Sequence, residues 1–401
     1  MALSVSADFL IIGGGIIGVC LSLELKKRYP DCQIALLEKE EQPGQHASGR
    51  NSGVLHAGFY YTAESLKARL TRDGNRELTA YCLDHNLPIN QCGKLVVARN
   101  ENDRGNLPEL MQRGHINGVK VELITATEAK EIEPRVKTCE QALYSPSTAT
   151  INPNNVMQSL VNDAQAIGVQ LLTGTKYLGN NNGIIKTTQG NMTAGYVINA
   201  AGLYADKIAR QYGFGEDYSI LPFKGLYLEA SPDESLKCNI YPVPGINNPF
   251  LGVHFTVTAD GRVTIGPTAV PAFWREQYQG LTNFSLDELI QIISMEVKLF
   301  SANNFGFRQL AYEELKKHSK SRLLSFAGEL VTGIKEGSFK TWGRPGIRAQ
   351  LVNLKTKKLE MDFCYEGDDK SFHVLNAVSP AFTCSFPFSR LIADEIGRAV
   401  A

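Results

Sequence analysis

At 401 residues the chain exceeds the size at which one hydrophobic core keeps growing, so two closely packed domains are expected. Its 43% apolar and 20% charged residues are ordinary for a folded globular protein. The 41 basic and 41 acidic side chains cancel, leaving no net field to draw nucleic acid or an anionic membrane, although a local patch is compatible with that balance.

Seven residues precede the first apolar run, too few for a signal or transit sequence. No stretch reaches the ~18 apolar residues of a membrane span. A cytoplasmic protein is expected, with peripheral membrane contact left open. The eight cysteines include no CxxC pair, so no metal site is expected and reduced thiols are the better reading.

In chain order, Asp8–Ile12 is a short apolar run ending at glycine, as a buried parallel strand does. Apolar residues then recur at helical spacing from Ile16 to Lys27, with Lys26, Lys27 and Arg28 gathered where the helix dipole favours cations. Gln33–Glu38 is a second apolar strand, completing a βαβ unit. A glycine-rich loop spans Pro43–Gly58, a helix is expected over Ala63–Asn86, and a strand over Lys94–Ala98. A charged, helix-prone segment runs from Glu101 to Glu133. A helix follows at Met157–Ile167, then a strand at Tyr196–Gly202. Aromatics, prolines and period-two alternation over Leu221–Pro267 predict an antiparallel sheet. Helices at Leu286–Phe300 and Pro387–Val400 close the chain. Such ordering predicts two domains interleaved in sequence.

Gly13-Gly14-Gly15-Ile16-Ile17-Gly18 carries the G-x-G-x-x-G spacing. Gly13 permits the tight turn, Gly15 lets the backbone approach a pyrophosphate, and Gly18 lets the helix pack on the strand. The helix N-terminus offers N–H groups and partial positive charge to phosphates. Glu38 ends the second strand where an acid would meet a ribose hydroxyl. The motif itself fits NAD or FAD. FAD is favoured by Ser48-Gly-Arg-Asn-Ser-Gly53, which supplies small residues and donors close after the second strand. A second strand ending, Asn199-Ala-Ala-Gly202, allows another close approach.

The run from Ser48 through His56 to Tyr61 resembles the FAD-dependent L-2-hydroxyglutarate dehydrogenase/oxidase family, part of the D-amino-acid oxidase superfamily. The likeness continues through Ser65–Lys67, Gln91–Leu95, Ile240–Pro244, Pro249–Thr256, Gly266–Pro267, Ala269–Val270 and Pro345–Gln350. It implies an α/β fold with an α+β second domain: a Rossmann-like FAD-binding domain interleaved with a substrate domain built on an antiparallel sheet. The implied boundaries are 1–85, 146–215 and 336–401 for FAD, and 86–145 and 216–335 for substrate. The chain departs from the family at Arg50, often histidine there, and at Lys224-Gly-Leu226, where Arg-Gly and an acid are usual. A third departure lies within Asn376–Thr383.

Oxidation of an alcohol by hydride transfer requires a base for the hydroxyl proton, and histidine titrates in the right range. His56 is expected as that base and His254 as a substrate or flavin contact. Arg348, in Gly346-Ile-Arg, is similar to the carboxylate-gripping arginine of amino-acid oxidases, and a guanidinium fork matches a carboxylate bidentately. Lys224 is a candidate for a second carboxylate, with Tyr61 and Tyr241 as further substrate contacts. The expected FAD contacts are Gly13, Gly15, Gly18, Glu38, Ser48, Arg50, Asn51, Ser52, Ala201, Gly202, Gly346, Ser379 and Pro380. The last two precede a helix whose N-terminus stabilises negative charge at the flavin N1–C2 edge. His46, His85, His115, His318 and His373 receive no role. The expected substrate is a small 2-hydroxy acid, best L-2-hydroxyglutarate, with oxygen, a quinone or another carrier taking the electrons. The competing readings are an amine or amino-acid oxidase, a non-catalytic flavin protein and a nicotinamide dehydrogenase.

Overall fold

A computed structural model describes residues 5–62, 65–244, 252–317 and 319–400. Ala63 and Glu64, where a helix was expected to start, Pro249–Leu251 of the resembling segments and His318 lie outside the described residues. The chain forms two compact units, each assembled from separated segments: Met1–Arg50, Pro153–Leu221 and Arg348–Ala401 in the first, Asn51–Asn152 and Pro222–Ile347 in the second. Residues 51–85, expected with the FAD-binding segments, fall in the second unit.

The first unit is built on a sheet whose centre is the strand Val5–Ile12. Ile34–Leu37 pairs with it in parallel from Phe9↔Ile34 to Ile12↔Leu37, and Gly190–Asn199 pairs in parallel on its other side. Gln170–Leu172 and Ser371–Asn376 extend the parallel array in opposite directions. All four residues of Ile34–Leu37 are buried, as a strand covered on both faces requires. Leu10, Ile12, Ala35, Leu37 and Val197 form its core. Helix Ile16–Arg28 keeps the predicted basic last turn. It meets the closing helix, Ser385–Val400, where Arg28 pairs with Asp394 at 2.7 Å.

The second unit carries an eight-stranded sheet in the order Phe339–Trp342, Leu228–Ala230, Val263–Gly266, His254–Val257, Asn239–Pro242, Lys94–Val97, Gln141–Ser145, Glu122–Thr125. Every junction is antiparallel except Asn239–Pro242 beside Lys94–Val97, which is parallel. A smaller sheet of Val54–Leu55, Ala149–Ile151 and Ile89–Asn90 holds the residues just before His56.

The expected helical stretch 101–133 divides into helix Glu101–Ile116, strand Glu122–Thr125 and helix Ala126–Ile132. Gly118, at φ +67°, takes the left-handed turn that ends the first helix, and Val119 N–H closes it on the Gly114 carbonyl. The second helix starts at Thr125 with a reciprocal cap to Glu128. Both signals lay in the sequence, masked by the helix formers on either side of them.

Candidate active site

In the first unit, two parallel strands end side by side at Ile12 and Asn199, the edge where open α/β sheets bind ligands. Gly13 follows at φ +115°, and a Cβ there would stand 2.5 Å from the Ala200 carbonyl oxygen. A Cβ on Gly18 would stand 2.0 Å from the Gly13 carbonyl oxygen. Neither position admits a side chain. The turn is pinned by Gly14 N–H donating to Glu38 Oε2 at 2.9 Å, and Glu38 Oε1 accepts from Glu40 N–H at 2.9 Å. Ser48 Oγ accepts from Ile16 N–H at 2.9 Å, placing the 48–50 loop against the helix start. Arg50 Nε steadies that loop on the Gln45 carbonyl.

Ala201 N–H donates to Asn199 Oδ1, and Gly202, at φ +53°, faces open space where a Cβ would sit. These are the features a dinucleotide needs: a close-approach turn, a helix start and a second bare strand end. Arg348 is half-buried and opens the last segment of this unit, on strand Gly346–Asn353, whose first two residues are assigned to the second unit. Ser379 is exposed and Pro380 buried in the loop before the closing helix. His373 is fully buried, accepts from Asn199 Nδ2 at 3.2 Å and lies 3.1 Å from Ser371 Oγ through its other nitrogen. That explains its place without a catalytic task.

In the second unit the sheet register does the assembling. Ile240 opposes Phe255, so Tyr241 faces His254 across the strands, and their rings stack with centroids 3.7 Å apart. His254 Nδ1 lies 3.0 Å from the Gly252 carbonyl oxygen. A carbonyl only accepts, so that nitrogen bears the proton and Nε2 is left as an acceptor. Burial, together with the charge of Lys94, pushes the imidazole down to about 3, so His254 is neutral through the working range. Tyr241 and Tyr60 are held protonated by burial.

Lys94 is the residue the sequence reading passed over. It is wholly buried, and its Nζ has no hydrogen-bond partner among the described residues. Three rings surround it: Tyr60 at 4.5 Å, Tyr241 at 4.7 Å and Phe59 at 4.8 Å. Ring faces offset only part of the cost of burying a cation, and burial pushes Lys94 down to about 7. The signal was available: one lysine opens a strand whose other positions are all apolar.

His56 is buried and follows strand Val54–Leu55. Tyr61 is half-buried. Lys224 is half-buried beside Val270 in the strand register, and burial lowers its pKa. Asn51 Oδ1 accepts from Gly53 N–H, and Ser52 is half-buried. The second unit thus unites His254, Tyr241 and Lys94, while Arg348 belongs to the first.

The family described as DAO, FAD dependent oxidoreductase, matches residues 8–395. The chain belongs to the FAD-dependent oxidoreductase family. Its relatives include the L-2-hydroxyglutarate dehydrogenase of Escherichia coli K12, 34% identical over 98% of this chain and 94% of that protein. The Indibacter alkaliphilus enzyme of the same name is 37% identical, covering 96% and 97%. The mitochondrial human enzyme is 36% identical, covering 98% and 89%. Among solved structures, FAD-bound L-alpha-glycerophosphate oxidase of Mycoplasma pneumoniae superposes with a TM-score of 0.76 at 23% identity, covering 98% and 94%. Glycine oxidase of Geobacillus kaustophilus gives 0.73 at 20%, covering 98% and 95%. These two likenesses show the fold. This FAD-dependent oxidoreductase therefore has the expected class, cofactor and mixed α/β architecture, and the nicotinamide and non-catalytic readings fall away.

Proposed function

We propose that the enzyme oxidises the CH–OH group of L-2-hydroxyglutarate, giving 2-oxoglutarate. The observation that carries this reading is near-full-length similarity, at 34–37% identity, to several L-2-hydroxyglutarate dehydrogenases. Glycine oxidases match at 17–20% and speak only to the fold. Bound FAD supplies the acceptor for the hydride leaving the substrate carbon.

The chain's own groups divide the remaining work. His56 takes the hydroxyl proton. His254, neutral with Nε2 available, accepts a hydrogen bond from the substrate. Arg348 grips the carboxylate beside the reacting carbon, and Lys224 meets the distal one. Tyr61 and Tyr241 bound the substrate. Gly13, Gly15, Gly18, Glu38, Ser48, Arg50, Asn51, Ser52, Ala201, Gly202, Gly346, Ser379 and Pro380 hold the cofactor. The Gly13 and Gly18 contacts and the Ser48–Ile16 hydrogen bond support the first part of that set. A reducing, cytoplasmic setting is supported by eight cysteines that are all free thiols.

The test is anaerobic addition of L-2-hydroxyglutarate while following the flavin band near ~450 nm. Rapid bleaching is expected, with D-2-hydroxyglutarate and L-glutamate inert. Bleaching by the amino acid alone would return the enzyme to the amino-acid oxidase reading.

A further inference from the structure

Lys94 has no part in the chemistry described so far, yet burying it without a hydrogen-bond partner among the described residues costs stability. The polar side chains beside it in the sheet are engaged elsewhere. Ser145, opposite it, pairs with Thr148 at 3.0 Å. Asn239, its parallel neighbour, donates to the Gly93 carbonyl and accepts from Val257 N–H. What the ammonium meets is aromatic, and the rings come from two places. Phe59 and Tyr60, packed on each other at 4.3 Å, belong to the loop that carries His56. Tyr241 belongs to the strand beside His254 and stacks on that imidazole.

The backbone of that loop is fixed separately. Asn117 Nδ2 donates to the Gly58 and Tyr61 carbonyls at 3.0 and 2.9 Å, and Arg113 donates to the Tyr60 carbonyl at 3.1 Å. These bonds tie the loop to the end of helix Glu101–Ile116 and leave its rings to Lys94. Strand Asn239–Pro242 lies between Lys94–Val97 and His254–Val257, so Tyr241 separates the ammonium from the imidazole. Through its ring contacts Lys94 joins both histidine-bearing segments of the second unit.

We propose that Lys94 is a positioning residue for the oxidation: its ammonium clamps the His56 loop, through Phe59 and Tyr60, to the Tyr241–His254 stack. The inference rests on the roles proposed for His56 and His254. A ring face attracts the cation and not the free amine, so the clamp is strongest when Lys94 is protonated. Burial is what lowers its pKa, to about 7, and the clamp therefore weakens as pH rises through that value. Tyr60 and Tyr241 stay protonated and His254 stays neutral across that range. Tyr61 and Tyr227 bear on the two tyrosines, and Lys317, which bears on His254, is itself paired with Glu314.

The test is anaerobic flavin reduction by L-2-hydroxyglutarate in the FAD-loaded wild type and Lys94→Met, between about pH 6 and pH 9. The wild-type limiting rate should exceed the variant's about tenfold at the acid end and match it at the alkaline end. Taking the ratio cancels the ionisation of His56, common to both proteins. Half-saturation should not change, because Lys94 acts through other side chains. Tyr60→Leu should lose a similar factor and Tyr60→Phe almost none, and the double variant Lys94→Met, Tyr60→Leu should lose no more than either alone. A second readout needs no substrate. With carbon-13 at histidine Cε1, the His254 resonance, assigned by its loss in His254→Gln, should move with a midpoint near pH 7 in the wild type and stay still in Lys94→Met. A rate ratio independent of pH, a loss confined to half-saturation, additive losses in the double variant or a His254 resonance indifferent to Lys94 would each overturn the proposal. Wild-type flavin left oxidised by L-2-hydroxyglutarate would count against the substrate reading instead, and the histidine titration would still decide the role of Lys94.

Discussion

The glycine turn of the first unit and the lysine–tyrosine–histidine cluster of the second are built by opposite means. At Gly13 and Gly18 the backbone leaves no room for a Cβ, so the fold dictates the residue type. At Lys94, Tyr241 and His254 the backbone is ordinary strand, and the cluster is defined by which side chains three strands bring together. The first site is a shape with the side chains removed. The second is a set of side chains whose neighbours set their charge.

The sharpest way to break the contrast is Gly13→Ala. A Cβ 2.5 Å from the Ala200 carbonyl, on a backbone at φ +115°, forces the strand ends apart. The purified variant should be colourless or insoluble; a yellow, stable protein would show that close backbone approach is not what the turn is for. His56→Ala comes next. Loss of a general base lowers kcat/KM by roughly 10²–10⁴ while FAD absorbance is retained. A loss confined to KM would instead make His56 a binding group.

Lys94→Met tests the buried charge through stability. The folded-state pKa of about 7 lies below the unfolded value of 10.5, so the unfolded chain binds more protons between those limits. Wild-type stability should therefore rise from pH 7 towards pH 10.5, with the full cost of the cation present below pH 7. Denaturant titrations at pH 6 and pH 9.5 should show that rise, of order a few kcal/mol, in the wild type, and show it missing in the methionine variant. Equal slopes would mean that the ammonium finds a partner. The smallest effect belongs to Ser48→Ala, which removes the hydrogen bond to Ile16 N–H and should lower stability by about 1 kcal/mol in a thermal melt.

The same contrast explains what the sequence disclosed. Gly13–Gly18, the flanking strands and Glu38 were legible because a dinucleotide turn constrains residue type at fixed local spacing. The resemblance carried His254 and Tyr241 as candidates, but their stacking depends on the pairing of Ile240 with Phe255, which no local pattern encodes. Lys94 was passed over because a single lysine is usually solvated; the apolar strand it opens hinted at burial, and the parallel junction with Asn239–Pro242 and the rings above it supply the cause. The division of 101–133 was missed because strong helix formers on both sides outweighed the Asn117–Gly118 stop.

The segmented build of the first unit also has a consequence for synthesis on the ribosome. Strand Ser371–Asn376 pairs with Gly190–Asn199, and the closing helix holds Arg28 through Asp394 and the Arg390 carbonyl. The opening βαβ unit emerges first, yet its helix obtains the closing helix only when the last thirty or so residues have been made. Until then helix Ile16–Arg28 lacks the closing helix for most of the translation time, a long-range closure of the kind that slows folding. Nascent chains stalled before residue 371 should therefore leave the first helix open to proteolysis, however complete the middle of the protein has become.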